Sequence, residues 1–169
     1  MVKPNEIESK AQRFAEQNLK FRAFLKNRAG NVELDAQFLA LHEELFEDFD
    51  CCKCANCCKA YRVCLDSNDI KRVSEHLEIT ESDFIAKYLV ESNEEKPYII
   101  KETPCPFLCD DGRCQIQSSK PEDCVGFPFT DKPNRLSSMY SVIENTQVCP
   151  VVFEIIERLK AIYGFRNKW

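Results

Sequence analysis

The residues best able to do chemistry in this sequence are its cysteines, six of which lie in the run CCKCANCCKAYRVC at residues 51–64. Two residues separate Cys51 from Cys54 and Cys54 from Cys57, and Cys58 follows directly. A two-residue spacer allows a turn to aim two sulfurs at one metal centre. Two such spacers in series allow three sulfurs to surround one metal centre, as in zinc knuckles and bacterial ferredoxins. The doubled spacing with a fourth thiol therefore predicts metal ligation.

Further cysteines come later in the chain, from different local elements, so only the folded chain can gather them. They are Cys105, Cys109, Cys114, Cys124 and Cys149. The adjacent pair Cys57–Cys58 indicates that ligands from this second set are needed, because neighbouring side chains diverge and do not easily share one ion. The cysteines are numerous enough for two four-sulfur sites, or for one iron–sulfur cluster with further cysteines left unused.

The composition favours metal ligation over a framework of disulfides. The chain has 169 residues, 44% of them hydrophobic, and an odd number of cysteines, 11. It can therefore form a hydrophobic core without disulfide bonds. The first residues lack the apolar stretch of a secretory signal, and no apolar run approaches a membrane span, so we expect a cytoplasmic protein with reduced thiols. A net charge of -5 without a long basic tract argues against a nucleic-acid partner.

The elements that must position these cysteines are mostly helical. Apolar residues recur at helical spacing, and capping residues and turn signals mark the element ends. We predict helices at 5–28, 33–49, 65–79, 80–92 and 149–164, and short strands at 96–102, 109–117 and 140–145. The fold class predicted is α+β, a mostly helical single domain with a few short strands around a cysteine-ligated metal centre. Residues 1–50 would form a helical pair packed on the core, and residues 51–169 the cysteine-cluster metal-binding domain.

Two stretches and a late Cys-Pro together resemble a known family. CCKCANCC and TPCPFLCDDGRCQIQSSKPEDCVGFPF are similar to the zinc- or iron-chelating CxxCxxCC domain family, also called YkgJ-type cysteine cluster proteins, over about residues 48–151. The resemblance implies a bound metal, zinc or iron. It also implies that the metal ligands are Cys51, Cys54, Cys57, Cys58, Cys105, Cys114, Cys124 and Cys149. Cys52, Cys64 and Cys109 lie outside the pattern, and we interpret them as buried small hydrophobes or spare thiols.

The chain departs from the family pattern beside Cys124. The family's usual IYE-x-RP-x-x-CR-x-FP is here IQSSKPEDCVGFP. Gln117 and Ser118 replace the tyrosine and the glutamate, and Lys120 and Val125 replace the two arginines. If those family residues touch a substrate or a cluster, this chain handles it differently.

Charged and apolar neighbours of the cysteines have two interpretations each. Cations close to the runs would favour the ligating thiolates, or they are ordinary surface charges; they are Lys53, Lys59, Arg62 and Arg113. Apolar side chains would shield a cluster from solvent, or they are simply core; they are Phe107, Leu108, Phe127 and Phe129.

The function predicted is a cytoplasmic metal-binding protein that holds an iron–sulfur cluster, with [4Fe-4S] favoured, or Zn²⁺ through about eight cysteines, with a redox role and an unknown protein or redox partner. One alternative is a zinc-stabilised structural or interaction module. Another is a protein that cycles disulfides. A third is an oxidoreductase or a lysine N-methylase-like enzyme, although the chain has neither a Gly-rich loop nor the C-x3-C-x2-C motif of radical S-adenosylmethionine enzymes. Catalytic residues are unknown.

Overall fold

Helices dominate the structure, as the sequence predicts. A computed structural model describes residues 1–93 and 96–166. Its helices are α1 (Ile7–Leu25), α2 (Asn31–Phe46), α3 (Cys51–Cys54), α4 (Asn56–Ala60), α5 (Ser67–His76), α6 (Glu81–Tyr88), α7 (Glu122–Gly126), α8 (Met139–Asn145) and α9 (Pro150–Ile162). Its strands are β1 (Cys64–Leu65), β2 (Leu89–Glu91) and β3 (Tyr98–Ile100), and Pro4–Glu6 and Gln117–Ser119 form 3-10 turns. The predicted mostly helical α+β fold is thereby confirmed.

The chain divides into two units. The first comprises Met1–Asp50 and Pro128–Trp169, and the second comprises Cys51–Phe127. Which of these pieces form independent domains stays a prediction. In the described residues, we find no helix that combines the length and the apolar character needed to span a bilayer.

The C-terminal helix α9 forms the centre of the first unit. It packs against α1, α2 and α8, and its apolar residues from Val151 to Leu159 are buried. Pro150 begins the helix and Gly164 follows its end, as the sequence predicts. Proline suits this first position because its missing N–H has no partner within a helix there.

One predicted strand of the first unit is wrong. Residues 140–145 form part of helix α8 rather than a strand. Met139, Val142 and Ile143 are its buried residues, and their spacing of three and four places them on one helical face. The β-branched residues favour a strand locally, but packing against α1 and α9 favours the helix.

The second unit combines short helices with a three-stranded antiparallel sheet of order β1-β3-β2. Helices α5 and α6 of this unit each begin with a side-chain cap: Asp66 closes a capping box with Asp69, and the Thr80 side chain accepts a hydrogen bond from the Asp83 N–H. The strand expected at 96–102 is present as β3. The unit's core consists of Val63, Leu65, Ile70, Val73, Phe84, Leu89, Ile100, Phe107 and Ile116.

The strand predicted at 109–117 is wrong. Only an isolated bridge joins Leu108 to Cys114. The Gly112 N–H donates to the Cys109 carbonyl, and the Gln115 N–H donates to the Phe107 carbonyl. The segment thus uses its backbone groups in a tight local loop, and a strand partner is not needed to satisfy them. This loop presents its cysteines at short spacing.

Candidate metal centre

The first cysteine run folds into two short helical pieces, α3 and α4, which meet at Ala55. This residue adopts a left-handed conformation, with φ of 51°. Its N–H donates to the Cys51 carbonyl at 2.8 Å, and its own carbonyl accepts from the Lys59 N–H at 3.2 Å. The change of direction at Ala55 separates the run into two parts. Cys51 is exposed in the first part, whereas Cys57 and Cys58 face a cavity from the second.

The second cysteine segment is tied to the first by its backbone. The Cys105 N–H donates to the Cys58 carbonyl at 2.7 Å, and the Leu108 N–H returns to the Cys105 carbonyl at 3.1 Å. The Cys109 N–H donates to the Arg113 carbonyl at 2.8 Å. These bonds close a loop that brings Cys105 and Cys114 to the same cavity as Cys58.

Cys124 reaches the cavity from α7, whose start is anchored by the buried carboxylate of Asp69. The Asp69 side chain is fully buried and accepts four hydrogen bonds. The donors are Arg72 Nη2 at 2.6 Å, the Glu122 N–H at 3.0 Å, Lys96 Nζ at 3.1 Å and the Asp66 N–H at 3.3 Å. Burial alone would raise the pKa of Asp69. The hydrogen bonds from Glu122, Lys96 and Asp66 outweigh it and lower this pKa.

The same network fixes the segment just before Cys124. Arg72 also donates to the Lys120 carbonyl at 2.9 Å, and Lys96 also pairs with Asp123 at 2.9 Å. Burial disfavours the charged Lys96, but its bonds to Asp123 and Asp69 raise its pKa overall. Residues 120–123 are therefore held at both ends, which fixes where α7 presents the Cys124 thiol.

Five cysteines from these separate segments line one cavity of about 70 Å³. They are Cys57, Cys58, Cys105, Cys114 and Cys124, and the remaining wall consists of Tyr61, Val63, Leu65, Phe84, Ile100, Phe107, Ile116, Lys120, Pro121 and Phe127. The wall is mostly apolar, so water is a weak competitor for the thiols. One water needs roughly 10–15 Å³ by this measure, so the cavity has room for several atoms.

Cys58 differs from the other cysteines of the cavity in its protonation. A hydrogen bond from the Cys57 side chain, aided by the positive charges of Lys120 and Lys59, outweighs burial and lowers the pKa of Cys58 to about 6. The lowered pKa favours the thiolate form of Cys58. Because the thiolate is the ligating form, this residue is poised to bind a metal.

Three further thiols of the cavity, those of Cys105, Cys114 and Cys124, resist ionisation. Burial, together with neighbouring thiols, raises the pKa of Cys124 to about 12. Burial is also the main cause that raises the pKa values of Cys105 and Cys114. Cys58 contributes to the rise at each of the three, which shows that these four sulfurs interact. A bound cation would relieve this mutual repulsion, since metal binding and thiol deprotonation are coupled.

The cations predicted from the sequence take different roles in the structure. Lys59 donates to the Cys54 carbonyl at 3.3 Å and acts on Cys58, as expected. Arg62 instead donates to the Ile100 carbonyl at 2.8 Å, and Arg113 is exposed beside Asp111. The cation that lines the cavity is Lys120. One sequence feature could have indicated this role. Lys120 directly precedes Pro121, close to Cys124, at a position where the family pattern has an arginine.

Among the predicted shielding side chains, Phe107 and Phe127 line the cavity. Leu108 lines a second cavity of the same unit, and Phe129 belongs to the first unit. The positioning role of Asp69 was not predicted from the sequence, because it depends on contacts with Lys96 and Glu122, which are distant in the chain.

The remaining predicted ligands lie elsewhere. Cys54 is buried on α3, and its pKa is raised mainly by burial and further by Cys58. Cys51 is exposed. Cys149 is buried in the first unit, immediately before α9. Of the three cysteines outside the family pattern, Cys64 lies on β1, while Cys52 and Cys109 line the second cavity.

The donor set suits a soft metal. Cys58, Cys105, Cys114 and Cys124 are not bridged by disulfides, and four thiolates are the ligands that zinc and iron–sulfur clusters both take. Among the described residues, however, no three or more His, Cys, Asp or Glu side chains form a group arranged to hold a metal ion. The cysteines thus surround a space, and they do not converge on one point.

Fold and site together define a protein with a cysteine-lined cavity. Residues 50–150 match the family model CxxCxxCC, described as "Putative zinc- or iron-chelating domain", and the chain belongs to this family. The resemblance noted in the sequence is thereby confirmed. Neither the curated proteins nor the solved structures contain a match to the chain.

Proposed function

We propose that this chain holds an iron–sulfur cluster in the cysteine-lined cavity and acts as a redox protein in a reducing compartment, the cytoplasm. The observation that carries the proposal is the meeting of five cysteines from three separate segments around one space. Cys58, Cys105, Cys114 and Cys124 are the ligands that we propose first, because all four line the cavity and Cys58 influences the ionisation of the other three. A cluster held there would supply one-electron transfer.

The size of the cavity favours a cluster over a single zinc ion. Zinc binds sulfur at about 2.3 Å, so four sulfurs around one ion would lie within about 4 Å of one another. In a cluster each thiolate binds a different iron atom, so the sulfurs lie farther apart. The space of about 70 Å³ between the thiols agrees with a multi-atom occupant.

The protein's own residues would set the properties of the site. Phe107 and Phe127 exclude water from it, and Lys120 offsets the negative charge of the thiolates. The eight-cysteine ligand set stays a prediction. It adds Cys51, Cys54, Cys57 and Cys149 to the four cysteines proposed first.

The deciding experiment is purification without oxygen, followed by a visible spectrum and by measurement of iron, zinc and acid-labile sulfide per chain. We expect a brown protein that contains iron and sulfide. A colourless protein with stoichiometric zinc would replace the redox function with a structural one. Reactive thiols without either metal would contradict metal binding.

Two matched variants test the ligand assignment. Cys124→Ser removes a thiol that lines the cavity, whereas Cys64→Ser removes one from β1 that the family pattern does not use. We expect Cys124→Ser to lose most of the metal and Cys64→Ser to keep it. Equal metal content in both variants would contradict the assignment of Cys124.

A further inference from the structure

A second cavity of the Cys51–Phe127 unit gathers cysteines that the family pattern does not use. It measures about 430 Å³ and is lined by Cys52, Lys53, Ala55, Lys59, Pro104, Cys105, Leu108, Cys109, Asp110, Asp111 and Gly112. Cys52 and Cys109 are both exposed, so reagents in solution can reach them. Cys105 lines this cavity and the cysteine-lined cavity alike, so the two spaces share a wall.

Backbone contacts fix the two extra cysteines relative to each other. Gly112 has φ of +83°, and a Cβ at this position would collide with the Cys52 carbonyl oxygen. The Gly112 N–H donates to the Cys109 carbonyl at 2.9 Å, and the Cys109 N–H donates to the Arg113 carbonyl at 2.8 Å. The turn that carries Cys109 therefore lies directly against the backbone of Cys52.

We propose that Cys52 and Cys109 are a redox-active pair that forms a disulfide across the second cavity. The oxidant would be a low-molecular-weight disulfide. The thiolate of one cysteine attacks a sulfur of this disulfide, which gives a mixed disulfide and releases one thiol. The thiolate of the other cysteine then attacks the protein sulfur of the mixed disulfide, which closes the Cys52–Cys109 bond and releases the second thiol. The protein loses two electrons and two protons, and the small disulfide gains them.

Two lysines, Lys53 and Lys59, and two aspartates, Asp110 and Asp111, line this cavity, so its charges balance and do not select an anionic or a cationic disulfide. Because Cys105 forms the shared wall, the new bond would cover one side of the metal cavity. The regulatory part of the proposal rests on the proposed function: oxidation of the pair slows removal of the metal.

Peptide mapping tests the disulfide. The full-length, metal-loaded chain is treated with oxidised glutathione without oxygen. We expect a linked peptide that joins Cys52 to Cys109 and the release of two glutathione molecules per bond. Cys52→Ser and Cys109→Ser should abolish the link, and Cys64→Ser should keep it. Separate glutathione adducts on Cys52 and Cys109, or a link to Cys105, would overturn the pairing.

Metal release tests the regulation. The rate at which a chelator removes the metal is compared between the oxidised and the reduced protein, with Cys109→Ser as the control that cannot close the bond. We expect slower release only from the oxidised wild type, and equal rates would overturn the regulatory role. The peptide mapping does not need a bound metal. If the chain is purified without any metal but still forms the Cys52–Cys109 link, the proposed function is contradicted and the pairing is not. A metal-loaded chain without the link would contradict the pairing alone.

Discussion

The backbone N–H of Cys105 donates a hydrogen bond of 2.7 Å to the carbonyl oxygen of Cys58. This bond joins the two cysteine segments at the edge of the cavity, although a long stretch of chain separates them. Because it uses backbone atoms only, it is independent of either thiol. The fold can therefore bring the segments together before any metal binds.

The first prediction uses that independence. Cys58→Ser and Cys105→Ser each keep the backbone hydrogen bond but remove one thiol from the cavity. We expect both variants to fold, with far-ultraviolet circular dichroism like that of the wild type, and to lose most of the metal measured per chain. Full metal content in either variant would show that its sulfur is not a ligand.

The second prediction concerns Gly112, where a larger residue would destabilise the fold for two reasons. Gly112→Ala places a side chain at φ of +83° and against the Cys52 carbonyl. Gly164 has φ of +59° but open space where an added methyl group would lie, so Gly164→Ala is the matched control. The left-handed backbone alone costs about 1–2 kcal/mol. In urea unfolding we expect Gly164→Ala to lose about that much and Gly112→Ala to lose more. Equal losses of unfolding free energy would show that the Cys52 backbone moves away from the added methyl group without destabilising the fold.

The third prediction concerns the buried Asp69. Asp69→Asn removes the carboxylate that pairs with Arg72 and one of the two that pair with Lys96, which keeps Asp123. Breaking a fully buried ion pair costs about 3–5 kcal/mol, so we expect a loss of unfolding free energy below that range, because Lys96 stays paired and Arg72 is partly exposed. We also expect a lower affinity for the metal because α7 is held less firmly. Asp83→Asn is the control, since Asp83 is an exposed residue at the same position of its own helix, and its loss should be small.

The fourth prediction follows from the lowered pKa of Asp69. A carboxyl group whose pKa is lower in the folded state contributes stability above its unfolded pKa of about 3.9 and loses it as the pH falls through the folded pKa. We expect the unfolding free energy of the wild type to fall as the pH drops below about 4. The difference between wild type and Asp69→Asn should shrink over the same range. A constant difference would show that Asp69 does not titrate differently on folding.

The fifth prediction concerns Lys120, the cation of the cavity wall. Lys120→Gln removes a positive charge that acts on Cys58, Cys114 and Cys124, so a bound redox group should be harder to reduce. We expect a lower reduction potential in Lys120→Gln and a potential near the wild-type value in Lys120→Arg, which keeps the charge. A potential that does not change in Lys120→Gln would place the ammonium group too far from the site to matter.

The sequence by itself determined the family and most of the helices. The spacing of Cys51, Cys54 and Cys57 indicated metal ligation, and the family model confirms a zinc- or iron-chelating domain. The helices with clear periodicity and caps were predictable because capping and amphipathic burial depend on residues a few positions apart. Strong local signals at Asp66 and Thr80 gave the correct starts of α5 and α6.

Only the tertiary structure decided which cysteines meet. Cys58 and Cys105 are joined by one backbone bond, Cys124 is held through Asp69, and Cys52 and Cys109 share a cavity of their own. Spacing could not reveal these relationships, because they depend on contacts between distant segments. The same limit explains why α8 looked like a strand: its burial is set by α1 and α9, and short apolar runs suit either structure. The local sequence determines which residues can act as ligands, whereas packing between distant segments determines where each of these side chains lies.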